Sequence, residues 1–162
     1  MIVPGSQSPP ASTKIPNTSA AVSPTVMKIV RQPEPFERPL QATSLTIETN
    51  SSVVVLSSGL EVITNPSDGI SGNIFLGGTF IQSDYSWVKV DRALNVGRFS
   101  GGSYYLSNGI VIAGSVNVGG GLGSPQGTFA QYGGSNVCGT LYVAVSGEYD
   151  LYGGDTIATN IT

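Results

Sequence analysis

The stretch NVGGGLGSPQGTFAQYGG, residues 117–134, holds seven glycines in eighteen positions, and its reading decides the class of protein. As a phosphate cradle it predicts a nucleotide enzyme. As turn chemistry it predicts a β-protein. A P-loop requires G-x-x-x-x-G-K-[ST] between a strand and a helix, its lysine reaching the phosphates. No lysine follows Lys89. A dinucleotide fingerprint requires G-x-G-x-x-G opening a helix. Gly121, Gly123 and Gly127 miss that spacing by one, and Pro125 interrupts it. TFAQY (128–132), which follows, has a strand pattern. The stretch is therefore predicted to be an inter-strand loop, with Leu122 at a tip that contacts a neighbouring chain.

Short runs rich in β-branched and aromatic residues surround this loop, punctuated by glycine, serine and asparagine. Twelve candidate strands follow: 44–49, 52–57, 60–64, 73–76, 79–82, 86–90, 103–106, 109–118, 128–132, 136–145, 148–152 and 155–161. VDRALNVGRF (90–99) is the best candidate for a short helix. Gly-Gly pairs stand at 77–78, 101–102, 119–120, 133–134 and 153–154. Such pairs supply the positive φ of primed hairpin turns. Their spacings, 24, 18, 14 and 20 residues, are too uneven for a strict repeat array. The expected fold is all-β: a compact antiparallel sandwich or barrel-like body, with a β-solenoid as the alternative.

Eight of the ten prolines, but only one of the 22 glycines, lie in residues 1–39. Proline fixes φ and removes a donor, so this zone is predicted to be an extended arm, residues 1–43, ahead of a glycine-rich body, 44–162. Within the arm Val26, Met27, Ile29, Val30, Phe36 and Leu40, interspersed with Lys28, Arg31 and Arg38, form a candidate partner-docking strip. Residues 1–40 carry a net charge of +2 and the remainder −5. Basic residues this sparse do not make a nucleic-acid arm. No apolar run approaches the roughly 20 residues that cross a membrane, and the first residues lack the pattern of a secretory signal.

Catalytic chemistry has little to build on. There is no histidine, which removes the commonest acid–base group and metal ligand. Cys138 is alone and reads as a buried thiol. Glu148 and Asp150, two apart on a candidate strand, face one side; a solvated edge is the expected reading, a glycosidase pair or a calcium-binding pair the alternatives. No catalytic, metal or cofactor site is expected. Phe99 to Gly147 contains no charged residue, which predicts contact with other subunits. Trp87, Tyr104, Tyr105 and Leu122 are the candidate interface residues.

The arm PGSQSPPASTKIPNTSAAVSP (4–24), the strip VMKIVRQPEPF (26–36) and the uncharged glycine-rich body together resemble, in layout, the small capsid decoration, or cement, proteins of tailed bacteriophages. The resemblance implies a non-enzymatic virion protein, synthesised in the host cytoplasm and seated on the capsid surface. There it would form a homo-oligomer, typically a trimer, that grips the major capsid protein through its arm. Two alternatives stand beside it: a fibre, spike or adhesin module whose Trp87, Tyr104 and Tyr105 contact carbohydrate, and a small jelly-roll capsid protein.

Overall fold

The structure, a computed structural model, describes residues 26–30, 39–56, 59–65 and 71–162. These form fourteen strands: β1 (Val26–Val30), β2 (Leu40–Ala42), β3 (Ser44–Ile47), β4 (Ser52–Leu56), β5 (Gly59–Val62), β6 (Asn73–Leu76), β7 (Thr79–Ser83), β8 (Trp87–Val96), β9 (Gly102–Leu106), β10 (Ile110–Val118), β11 (Gly127–Gln131), β12 (Ser135–Val143), β13 (Gly147–Leu151) and β14 (Asp155–Ile161). All twelve candidate strands coincide with β3 to β14. The pairing direction differs from expectation. Every described ladder is parallel.

The antiparallel sandwich is therefore corrected to the alternative, a β-solenoid. One sheet runs β1-β4-β7-β9-β11-β13, and the other stacks β2 and β3, then β5 and β6, then β8, β10, β12 and β14. The chain alternates between the sheets, so each circuit is one coil, and six coils stack. Val26, Ser52, Thr79, Ser103, Thr128 and Glu148 occupy one register column, spaced by 26, 27, 24, 25 and 20 residues. The segment expected to be an extended arm supplies two edge strands of this stack. β1 pairs with β4, and β2 with β5. Edge positions are where a proline-interrupted segment can still pair.

The hairpin reading failed because Gly-Gly serves two different corners. The pairs at 77–78 and 101–102 lead into β7 and β9 of the first sheet, whereas those at 133–134 and 153–154 lead into β12 and β14 of the second. Measuring from one corner type to the other scrambled the period. At the second type Gly109, Gly134 and Gly154 adopt φ of +94°, +73° and +82°. Added side chains there would run into the carbonyls of Ser86, Gly109 and Gly134 in the coil before. The helix expected at 90–99 is strand β8 as far as Val96. Its ladder to β10 slips between Ala113 and Ser115, so Asp91 and Arg92 together oppose one residue. This bulge moves the buried positions from Val90 to Leu94, a spacing that imitates a helical period.

Inside the stack, residues of one column touch through the coils. Phe80, Tyr104, Phe129 and Tyr149 stack with ring centroids 4.8, 4.8 and 4.9 Å apart. Beside them run Val55, Gln82, Leu106, Gln131 and Leu151. Gln82 is wholly buried, and its amide donates to the carbonyls of Ser86 and Ile110 at 3.0 and 3.1 Å while its Oε1 accepts from the Tyr104 hydroxyl at 2.5 Å. Gln131 repeats the arrangement two coils on. It donates to Gly134 and Asp155 carbonyls at 3.2 and 3.0 Å and accepts from Tyr149 at 2.8 Å. Each glutamine thus satisfies corner carbonyls of two successive coils and fixes their relative height. Cys138, also buried, has its thiol pushed up by desolvation, against a smaller opposing effect of a hydrogen bond to the Val116 backbone.

Tyr104→Phe strands Gln82 Oε1 without its donor and should cost about 1–3 kcal/mol, read by denaturant unfolding. Burial also pushes the Tyr104 phenol well above the usual tyrosine range. Its ionisation is then easier in the unfolded chain. Stability is retained below about pH 10 and falls as pH rises above it, and Tyr104→Phe should flatten that alkaline loss in melting curves. The Cys138 thiol should react with a thiol reagent at a rate that follows unfolding, not exposure in the native coil.

Candidate functional site

A concavity lies on the outer face of the second sheet, where it turns towards the first. β3, β6 and β8 bring Thr46, Phe75 and Asn95 into one outward column. The turn after β8 adds Arg98 and Phe99, and the turn after β3 adds Glu48 and Thr49. Its volume is about 360 Å³, near the lower end of the roughly 300–1,000 Å³ typical of small-ligand sites, and it is open to solvent.

Two aromatic rings shape it. Phe75 and Phe99 lie 6.1 Å apart at an interplanar angle of 38°. The Arg98 guanidinium sits 5.3 Å from the Phe99 centroid, close enough for a cation–π contact. Phe99 is 72% exposed, so its ring is held out towards solvent and not into the core. Beneath them Asn95 is almost wholly buried. Its amide donates to the Ile74 carbonyl at 3.2 Å, and its Oδ1 accepts from Asn117 at 3.0 Å. The floor is thus rigid and already satisfied, while the rim offers Glu48, Thr46 and Arg98.

A second, polar hollow of about 310 Å³ continues from this groove around the corner. Thr49 and Gly77 line both. Its other walls are backbone and short hydroxyl or amide side chains, including Asn50, Ser51, Thr79 and Ser103. Together they form a track with an aromatic end and a hydroxyl-rich end. Among the described residues, no three His, Cys, Asp or Glu side chains converge on a metal position.

The residues singled out in the sequence are distributed otherwise. Tyr104 is fully buried in the aromatic stack, so the expectation of an interface role for it is corrected. The strand alternation that puts Tyr104 inside puts Tyr105 outside, where it is half-buried. Trp87 is half-buried on β8 and lies over Gly59, whose missing side chain makes room for the indole. Leu122 is 88% exposed in the loop 119–126, and nothing approaches Gly121 or Gly123 beside it. No helix follows that loop. Val26, Met27, Ile29 and Val30 lie on β1, and Leu40 packs against the core from β2. Arg31, Phe36 and Arg38 lie outside the described residues. Glu148 and Asp150 share β13, and Glu148 accepts from the Gln126 amide at 3.1 Å. Phe75, Asn95, Arg98 and Phe99 were not singled out. The available signal was their position one coil apart: Phe75 and Asn95 are register partners on β6 and β8.

Compared with known proteins, the chain matches no family model, no curated protein and no solved structure. Because Phe99 is held outside the core, Phe99→Ala should change unfolding free energy by less than about 0.5 kcal/mol. That makes it a clean probe of the groove, checked by comparing melting curves.

Proposed function

We propose that the chain is a non-catalytic structural module of a fibre, spike or adhesin, and that it presents the track between Phe75, Phe99 and Ser103 to carbohydrate. The observation that carries this reading is the pairing of aromatic rings with a row of hydroxyl and amide groups on the flank of a stiff coil stack. Sugar rings have apolar faces that stack on aromatic side chains and hydroxyl edges that exchange hydrogen bonds. Phe75 and Phe99 suit the first, and Thr46, Thr49, Asn50 and Ser51 suit the second. Columns that interlock from coil to coil resist bending, which suits a shaft that holds a site away from its base.

Attachment to a capsid as a cement protein is the second reading. It is favoured by the uncharged stretch 99–147, which leaves Leu122, Tyr132, Tyr142 and Val145 exposed. On this reading the partners are the major capsid protein and further copies in a trimer. Binding of the purified chain to expanded empty shells would support it.

The carbohydrate reading is tested by a glycan array followed by calorimetry on the hits. At least one oligosaccharide class should bind. Phe99→Ala should weaken that binding about tenfold or more, as expected for an aromatic anchor, with the melting curve unchanged. A chain that binds no glycan, or a Phe99→Ala variant that binds as well as the parent, removes this reading.

A further inference from the structure

Core columns are exposed at one end of the stack. Leu151 continues the column of Val55, Gln82, Leu106 and Gln131, all fully buried, yet is itself 53% exposed. Ile161 continues Ile74, Leu94, Val116 and Leu141 and is 70% exposed. Beyond them the outer edges of β13 and β14 pair with no strand among the described residues. At the other end β1, β2 and β3 each have one strand neighbour among the described residues, β4, β5 and β6. Unpaired edges over apolar cross-sections are templates for another chain, and repeat stacks ordinarily cover them.

We propose that the occupant is a second copy of this chain, whose β1–β3 coil seats on the β13–β14 coil and continues both parallel sheets head to tail. The column register specifies the match. The column of Met27 runs through Val53, Phe80, Tyr104 and Phe129 to Tyr149. One step along, Lys28 shares a column with Val54, Ile81, Tyr105, Ala130 and Asp150, and Ile29 shares one with Leu151. In the second sheet Leu40, Ala42 and Leu45 share columns with Thr156, Ala158 and Ile161. Continued into a second copy, these columns set Tyr149 on Met27, Asp150 on Lys28, Leu151 on Ile29 and Ile161 on Leu45. In these four matches three join apolar or aromatic residues and one joins acid to base, while in the same frame Glu148 falls on Val26 and Thr156 on Leu40.

The competing arrangement, two β13–β14 ends meeting about a two-fold axis, is disfavoured by charge. Glu148, Asp150 and Asp155 of both copies would then lie in one contact, and no basic residue follows Arg98 to offset them. Like charges set directly opposite destabilise strand pairs. A head-to-tail contact is heterologous and does not close, so its product is an unbranched filament that lengthens with concentration.

Sedimentation of the full chain should show mass rising with concentration up to about 100 μM, with filaments visible by electron microscopy. Lys28→Glu and Asp150→Lys should each weaken association roughly tenfold, since a favourable pair becomes a repulsive one. Mixing the two variants should restore assembly, because every contact in an alternating filament is then acid on base. Leu151→Asp, at an exposed position that leaves the coil folded, should abolish it. A monomer across this range, a closed dimer, or a mixture that assembles no better than its components would overturn the proposal. The glycan measurements are made on dilute chain and read the groove separately.

Discussion

Parallel strands stacked in register must place each side chain directly on its counterpart one coil away. The ring spacings of 4.8 to 4.9 Å in the Phe80–Tyr104–Phe129–Tyr149 column equal the separation of neighbouring strands. The aromatic stack and the backbone ladder therefore obey one repeat, and neither strains the other. The rest of the architecture follows. A column tolerates only residues that accept a copy, or a complement, above and below. Phe-x-Gln and Tyr-x-Leu alternate from coil to coil, in TFIQS (79–83), SYYLS (103–107), TFAQY (128–132) and EYDLY (148–152). The alternation is a complement. A tyrosine hydroxyl reaches back to the glutamine of the preceding coil, and the glutamine amide turns to the corner carbonyls. An all-leucine column would leave those buried carbonyls without donors, at a cost of order 1–3 kcal/mol each.

Strand positions were legible because β-branched and aromatic residues bounded by glycine report local geometry. Strand direction was not, because a glycine with positive φ serves a hairpin turn and a solenoid corner equally. The arbitrating signal was long-range. Counting between Phe80, Tyr104, Phe129 and Tyr149 gives 24, 25 and 20 residues, close to one coil each, whereas counting between glycine pairs mixes two corners. Of the groove, Phe99 carried no mark of its place there. It sits in a turn beside Arg98, and only the return of β3 and β6 along the same column gives it neighbours. Tyr104 and Tyr105 show the same limit in miniature. Adjacent and chemically identical, they are sorted into core and surface by strand parity alone.

The interior also changes along the axis. The column Leu60, Val88, Val111, Asn136, Thr156 passes from apolar to polar. In the last two coils Asn136 donates to the Tyr149 hydroxyl at 3.0 Å, and Tyr149 and Thr156 are joined at 2.7 Å, both reaching Gln131 Oε1. A hydrogen-bonded cluster contributes little net stability but penalises any slip of register, since a one-residue shift would strand several buried groups together. The apolar column alone, built of similar residues, would penalise such a slip much less.

Outer columns are free of that packing rule, so changes along them reflect what the surface meets. Gln41, Glu61 and Lys89 share one outward column, joined by hydrogen bonds of 2.7 Å and an ion pair that holds the Glu61 carboxyl below its usual range. The same column continues as Ile112, Val137 and Ile157, with Ile157 60% exposed. β-Branched residues at solvated positions strengthen a strand but offer water nothing. The flank therefore divides into a charged, groove-bearing part over the early coils and an apolar part over the late ones. The groove of Phe75 and Phe99 also reaches β3 through Thr46 and Ile47, so in a head-to-tail filament it would lie beside the joint between two copies. Such a filament would repeat its groove once per copy along its length.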